Sequence, residues 1–149
     1  MSMMSVYRKI EHCLIDAYKL NPHDTDLSNQ IKCRSIKLTQ LYFLVSWRAE
    51  NSLIGISNKY ALTELLYTAN NQLTADPLSL PLPLVLHVLK DDLYGIEQEL
   101  DAQFSEVDQS MREWFVDYRE RRHKSPSCYS DLPELHWRDL PHELFDLMP

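Results

Sequence analysis

The stretch LPLVLHVLKDDLYGIEQELDAQFSEVDQSMREWFVDY, residues 82–118, decides the fold class. Its large apolar side chains recur at an average step of about 3.6 residues, the period of a straight α-helix. This apolar stripe consists of Leu82, Leu86, Leu89, Leu93, Ile96, Leu100, Phe104, Val107, Met111, Trp114 and Tyr118. No proline interrupts the chain from Leu84 to Lys124. The pattern therefore predicts a helical spine over 84–123, either one long helix or two helices that meet near Ser105.

Apolar spacing predicts further helices on the N-terminal side of this spine. Residues 6–18 have one apolar face, with Ser5 available as the N-cap, and Asn21-Pro22 is expected to end that helix. Residues 57–73 form a second apolar face that ends before Asp76-Pro77. The proline-rich piece 76–83 is interpreted as a short extended connector.

The segment between these helices, residues 31–47, is ambiguous. Ile36 and Leu38 alternate with polar residues as in a strand, whereas Leu41, Leu44 and Val45 fit a helix. With this segment taken as a helix, we predict an all-α fold of four or five helices around one core. The alternative is an α+β fold with a short antiparallel sheet from residues 35–56.

The C-terminal segment differs in composition from the rest of the chain. We predict a helical domain over 1–124 and a C-terminal tail over 125–149 that packs on the domain or docks on a partner. The tail is acidic, apolar and rich in proline, and Asp131-Leu132-Pro133-Glu134-Leu135 is echoed by Asp139-Leu140-Pro141-His142-Glu143-Leu144. Each copy is expected to place an aspartate just before a helical turn.

Composition narrows the class of protein. The 149 residues are 44% hydrophobic and 25% charged, as in a single globular domain. Only Gly55 and Gly95 occur, which excludes glycine-rich loops that cradle phosphates or dinucleotides. The net charge of −7 disfavours nucleic acid as the main partner. This charge is uneven, because residues 1–60 carry 8 basic and 5 acidic side chains (+3) and residues 61–149 carry 7 and 17 (−10).

Three widely spaced cysteines and the lack of a long apolar run favour a cytoplasmic protein with reduced thiols and no membrane partner. We find no catalytic motif and expect no enzyme activity, no cofactor and no bound metal. His123, Cys128, His136 and His142 could close a zinc site but are interpreted as scattered surface residues. His87, Asp91, Glu97 and Asp101 could form a metal or acid–base site on the spine but are interpreted as the solvated face of an amphipathic helix.

The function that the sequence favours is a non-catalytic protein–protein interaction module, such as an adaptor, an inhibitor or a small chaperone. The large apolar side chains of the tail are predicted to anchor a protein partner: Trp137, Leu140, Leu144, Phe145 and Leu147. The spine is expected to pair with a second copy of the chain, because its apolar stripe is longer than a compact domain. The alternative is a nucleic-acid-associated regulator that uses the basic end of the spine, Arg119, Arg121, Arg122 and Lys124.

Overall fold

The computed structural model describes residues 3–19, 25–72, 76–97 and 132–147, and these are mostly helical. In chain order the helices are α1 (Met3–Tyr18), α2 (Thr25–Glu50), α3 (Asn58–Ala69), α4 (Leu82–Val88), α5 (residues 90–97) and α6 (His142–Phe145). Short 3-10 turns lie at Pro77–Ser79 and Trp137–Asp139. No β-strand occurs in these four ranges. The all-α prediction is confirmed for them, and the alternative sheet over 35–56 is wrong.

Helix α2 is the central element, because α1 and α3 both pack against it. Its buried polar residues Ser35 and Thr39 find acceptors within the helix. The hydroxyl of Ser35 donates to the carbonyl of Ile31 at 2.8 Å, and that of Thr39 donates to the carbonyl of Ser35 at 2.7 Å. Such bonds let polar side chains be buried at no net loss of hydrogen bonds. The alternation of apolar and polar residues around Ile36, which resembles a strand, therefore occurs in a helix. This helix packs against neighbours on more than one side.

Helix α1 follows its predicted apolar face and ends where predicted, but it begins earlier. The helix begins at Met3, so Ser5 lies inside the first turn and is not its N-cap. The helix ends at Tyr18, before Asn21-Pro22, and Lys19 has a positive φ of 52°. The side chains that α1 buries are spaced three or four apart, as predicted: Met3, Met4, Val6, Tyr7, Ile10 and Leu14.

Side-chain caps explain where α3 and the proline-rich segment begin. The hydroxyl of Ser57 accepts a bond from the backbone N–H of Tyr60 at 3.2 Å and so starts α3. The carboxylate of Asp76 accepts from the N–H of Leu78 at 3.0 Å and caps a 3-10 turn. Part of the predicted extended connector is therefore a capped turn.

The described part of the predicted spine consists of α4 and α5, which are separated by an irregular residue at Leu89. The apolar stripe continues across this interruption, since Leu82, Leu86, Leu89, Leu93 and Ile96 are all buried. The amide of Leu93 still donates to the carbonyl of Leu89 at 2.9 Å, which restarts the helix. Residues 98–123 of the predicted spine lie outside the described residues.

Two apolar clusters form the core. The larger cluster joins α1, α2, α3, α4 and α5 with buried side chains of residues 132–147. The smaller cluster joins the start of α1 to α2 and to Ile96 of α5. Its buried members are Met3, Met4, Tyr7, Ile36 and Ile96.

Candidate protein-interaction site

The five tail residues predicted to contact a partner lie against the chain's own helices. Leu140, Leu144, Phe145 and Leu147 are buried members of the larger core cluster, and Trp137 packs against it half-buried. The ring of Phe145 meets that of Tyr42 edge to face, with 5.8 Å between centroids. In this arrangement the predicted anchors stabilise the fold of the chain itself, and their surface is already covered.

Hydrogen bonds from three helices hold the main chain of this tail. The thiol of Cys13 on α1 donates to the carbonyl of Asp139 at 3.1 Å. Arg34 on α2 donates to the carbonyl of Pro133 at 2.7 Å, and the amide of Asn58 on α3 donates to the carbonyl of Phe145 at 2.8 Å. We call the surface of α1, α2 and α3 that carries these three donors the tail groove.

Trp137 fastens the tail to a further part of the molecule. Its indole Nε1–H donates to the carbonyl of Leu80 at 2.8 Å, in the short link between the Pro77–Ser79 turn and α4. Hydrogen bonds therefore join the tail to α1, α2, α3 and the link before α4, which no local sequence pattern could show.

Arg34 is the most unusual residue of the tail groove, since its long cationic side chain is only 1% exposed. Its guanidinium donates to the hydroxyl of Tyr18 at 2.7 Å as well as to Pro133, and its central carbon lies 5.4 Å from the centre of the Tyr18 ring. A buried cation needs such partners, because its removal from water is costly. Arg34 therefore ties the end of α1 to the tail through α2.

Cys13 lies in surroundings that keep its thiol protonated. Partial burial raises the pKa of Cys13 above the ordinary thiol value of 9.0, and the negative charges of Glu143, Asp139 and Asp16 raise it further. A protonated thiol is a hydrogen-bond donor and a poor nucleophile. This chemistry suits the bond to the Asp139 carbonyl and disfavours a catalytic cysteine here.

The two echoed tail segments do not have the same local structure. Residues 133–136 have no regular secondary structure, whereas the second copy includes α6. The prediction places Asp139 just before a helical turn, but Asp139 is instead the last residue of the Trp137–Asp139 turn. Its carboxylate accepts from the N–H of His136 at 3.0 Å. What the copies share is burial, since Leu132, Leu135, Leu140 and Leu144 all enter the core.

The two most exposed large apolar side chains of the described structure lie elsewhere, at the turn between α2 and α3, and Leu84 of α4 and Tyr94 of α5 are exposed to a lesser degree. Leu53 is fully exposed and Ile54 is 85% exposed. The turn is held by its own hydrogen bonds: the N–H of Ile54 donates to the Ser52 hydroxyl at 3.3 Å, and that of Gly55 to the Ser52 carbonyl at 3.4 Å. Gly55 completes it with a φ of +63°, a conformation that side chains disfavour.

Helix α3, which follows this turn in the chain, also exposes two tyrosines. Tyr60 and Tyr67 are about half exposed and lie seven residues apart, so they share one side of the helix. The opposite side buries Ala61, Leu62 and Leu66. We call Leu53, Ile54, Tyr60 and Tyr67 together the α2–α3 corner.

Paired charges of both signs flank the α2–α3 corner. Arg48 near the end of α2 meets Glu64 of α3 at 3.2 Å, and Lys59 meets Asp76 at 3.4 Å. Because each cation has an acidic partner, the corner offers no basic field to a phosphate backbone. The pairs also hold the end of α2 and the residue before the Pro77–Ser79 turn against α3.

Sequence reasoning did not identify this corner as a site. The α+β alternative places Leu53 and Ile54 in the sheet over 35–56, and neither residue is among the predicted partner contacts. The available signal was two large aliphatic residues enclosed by Asn51-Ser52 and Gly55, which are typical turn formers.

The other candidate sites are only partly described. Arg119, Arg121, Arg122 and Lys124, the predicted nucleic-acid contacts, lie outside the described residues, as do His123, Cys128 and Asp101. His87 and Asp91 are exposed whereas Glu97 is buried. Among the residues that are described, no three His, Cys, Asp or Glu side chains are placed to hold a metal ion.

Two further observations bear on the class of protein. Within the described ranges, no helix has both the length and the apolar character needed to cross a membrane. No protein-family model matches the chain, and no curated protein or solved structure is significantly similar to it.

Proposed function

We propose that this chain is a non-catalytic protein-interaction module, an adaptor, inhibitor or small chaperone, that binds a protein partner through the α2–α3 corner. The observation that carries the proposal is the exposure of Leu53 and Ile54 on a turn that its own hydrogen bonds hold in place. A preformed turn loses little conformational entropy when it binds. Transfer of each side chain from water into a partner's pocket is worth about 1.5–3 kcal/mol.

The surroundings of the corner favour a protein over other macromolecules as the partner. Tyr60 and Tyr67 add aromatic area of the kind enriched where interface energy concentrates. The paired charges around them suit a polar rim. A membrane surface or a nucleic acid would instead favour an excess of basic side chains.

In this proposal the tail has a supporting role and the corner a binding role. Asn58 at the start of α3 donates to the tail carbonyl of Phe145, so the helix that carries Tyr60 and Tyr67 is also fastened to the tail. A cytoplasmic location belongs to the proposal too, supported by the odd number and wide spacing of the cysteines, at positions 13, 33 and 128.

The test compares proteins captured by three full-length chains from a lysate of the source cells: wild type, Leu53→Ser/Ile54→Ser, and Leu84→Ser. Leu84 is an apolar residue of α4 that is 40% exposed, so its variant is a matched control for lost surface hydrophobicity. We expect wild type and Leu84→Ser to retain the same protein and the corner variant to lose it, with unchanged circular dichroism in all three. Equal capture by the corner variant would contradict the proposal.

A salt series separates this mode of binding from the nucleic-acid alternative. Apolar anchors keep their affinity as salt rises, whereas contacts to phosphates weaken steeply. Retained material that is nucleic acid and elutes at moderate salt would favour the alternative function.

A further inference from the structure

Residues 132–147 are held by the tail groove in the way that a separate peptide is held. The three helices donate to main-chain carbonyls at Pro133, Asp139 and Phe145, spaced six residues apart, while leucines fill the apolar surface between them. Main-chain hydrogen bonds for affinity and pockets for side chains are the usual elements of peptide recognition.

The described residues 132–147 have little regular structure of their own beyond this docking. They contain a three-residue 3-10 turn and the four-residue helix α6. An isolated helix this short is unstable in water. The tail groove therefore imposes the conformation of the tail, as a binding site does on a flexible ligand.

Charge favours this pairing between molecules as well as within one. Residues 132–147 carry four acidic side chains and one arginine (−3), whereas residues 1–60, which contain α1, α2 and the start of α3, carry +3. Two whole chains of net charge −7 repel each other, but the tail of one and the groove-bearing helices of the other are complementary.

The length of the connection permits the same pairing between two chains. Thirty-four residues, 98–131, separate the described end of α5 from Leu132. Covalent geometry lets that number of residues span at most roughly 110–120 Å, about three times the diameter expected of a compact domain of this size. The groove of a neighbouring copy is therefore within reach.

We propose that the tail groove accepts residues 132–147 of a second copy of this chain, so that two copies exchange tails and form a dimer. Residues 132–147 are the one segment that the structure shows to fit the groove, and a copy supplies that same segment. The exchanged and unexchanged forms make the same tail contacts, which makes exchange a low-cost route to a dimer. The proposal is independent of the α2–α3 corner and of its partner.

The concentration dependence of exchange follows from the covalent connection between tail and groove. Within one chain the two are always joined, whereas a tail reaches the groove of another chain by diffusion, so exchange rises with the total chain concentration. Refolding at about 5 μM is expected to yield monomer, and refolding at about 1 mM is expected to yield a substantial dimer fraction.

A disulfide trap identifies which tail lies in which groove. In a full-length Cys33→Ser/Cys128→Ser background, Asp139→Cys places a second thiol near Cys13, whose sulphur lies 3.1 Å from the Asp139 carbonyl. After refolding and oxidation with oxidised glutathione, we expect a monomeric disulfide at the low concentration and a covalent dimer at the high one. The same protein with Cys13→Ser keeps one thiol and is the control for disulfides formed directly between two tails, so it is expected to give no covalent dimer. Monomeric disulfide at both concentrations, or a covalent dimer formed equally in the control, overturns the proposal.

A second measurement uses the unsubstituted chain and so does not depend on how that variant folds. Isotope-labelled and unlabelled chains are mixed, refolded at the high concentration and treated with a carbodiimide, which joins tail carboxylates to lysines of α1–α3. Mass spectrometry then distinguishes tail–helix cross-links between labelled and unlabelled chains from those within one chain. We expect mixed-label cross-links at the high concentration only, and same-label cross-links alone would overturn the exchange.

Discussion

The tail, residues 132–147, and the α2–α3 turn, residues 51–56, are two short apolar segments with opposite surroundings. Six large apolar residues of the tail are buried, whereas Leu53 and Ile54 of the turn lie in water. Both backbones are held by specific hydrogen bonds, but those of the tail come from other helices and those of the turn come largely from the turn itself. Apolar character alone therefore does not distinguish a buried segment from an exposed one, whereas the origin of the hydrogen bonds differs between the two.

The largest expected change in stability comes from removing the aromatic ring of Phe145 in the tail. Phe145→Ala removes a buried ring that packs against Tyr42 and is expected to lower the free energy of unfolding by about 3–5 kcal/mol. Leu53→Ala, the matched change in the turn, should alter it by less than about 0.5 kcal/mol. Urea unfolding followed by circular dichroism measures both values, and equal losses would contradict the assignment of the tail to the core.

A pair of arginines tests whether burial gives the tail its stability. Arg34→Met keeps an apolar stem but removes the donors to Tyr18 and Pro133, with an expected loss of about 1.5–3 kcal/mol. Arg48→Met breaks the exposed pair with Glu64 near the turn, with an expected loss of less than about 1 kcal/mol. Urea unfolding at neutral pH measures the free energy of unfolding of both variants. A larger loss in Arg48→Met than in Arg34→Met would contradict the role given to the Arg34 bonds to Tyr18 and Pro133.

The two glycines sharpen the comparison, because a methyl group added at either meets nothing within 4 Å. Only backbone conformation then distinguishes them. Gly55→Ala forces a side chain into the left-handed region of the turn and is expected to destabilise the protein by about 1 kcal/mol. Gly95→Ala, in helix α5, is expected to stabilise it by about 0.5–1 kcal/mol. Thermal unfolding of both variants checks the opposite signs.

Alkaline pH tests the contact between Cys13 and the tail. Its expected effect on the free energy of unfolding is smaller than that of the substitutions above. Because the pKa of Cys13 is raised, the folded protein holds this proton more tightly than the unfolded chain. The stability linked to it is complete at neutral pH and is lost as the pH rises above the ordinary thiol value of 9.0. Unfolding free energies measured from neutral to alkaline pH should therefore fall more steeply in wild type than in Cys13→Ala.

Tyr7 also contributes to the alkaline response, and the comparison of two proteins removes its share. Burial raises the pKa of Tyr7, and the nearby Glu11 carboxylate, to which its hydroxyl donates at 2.7 Å, raises it further. This contribution is the same in wild type and in Cys13→Ala. Identical pH slopes for the two proteins would contradict the surroundings assigned to Cys13.

The smallest expected effect on stability belongs to the turn itself. Leu53→Ser/Ile54→Ser replaces side chains that are already in water, so the free energy of unfolding should change by less than about 0.5 kcal/mol. The same variant is expected to lose the partner, and that separation of stability from binding is the property sought in an interaction surface. A loss of several kcal/mol would show that the two side chains belong to the core.

Apolar periodicity predicted much of the fold because a helix that packs on one side repeats its buried residues every three or four positions. Helices α1 and α3 followed this rule, and so did the buried stripe of α4 and α5. The rule was weakest for α2, which buries Arg34, Ser35, Thr39 and Gln40 with its apolar residues because several neighbours surround it. No sequence pattern predicted the helix interruption at Leu89 or the start of α1 at Met3.

The sequence by itself determined that α1, α3, α4 and α5 are helical and that the tail is apolar enough to need a cover, because both properties follow from the spacing and chemistry of neighbouring residues. That residues 35–56 form no sheet was decided by the structure. Only the tertiary structure decided that the tail is covered by its own helices and that the α2–α3 corner is not. Cys13, Arg34 and Asn58 are far from residues 133, 139 and 145 in the chain, so their hydrogen bonds exist only after the helices have packed. Which apolar segment stays in water is a property of that packing.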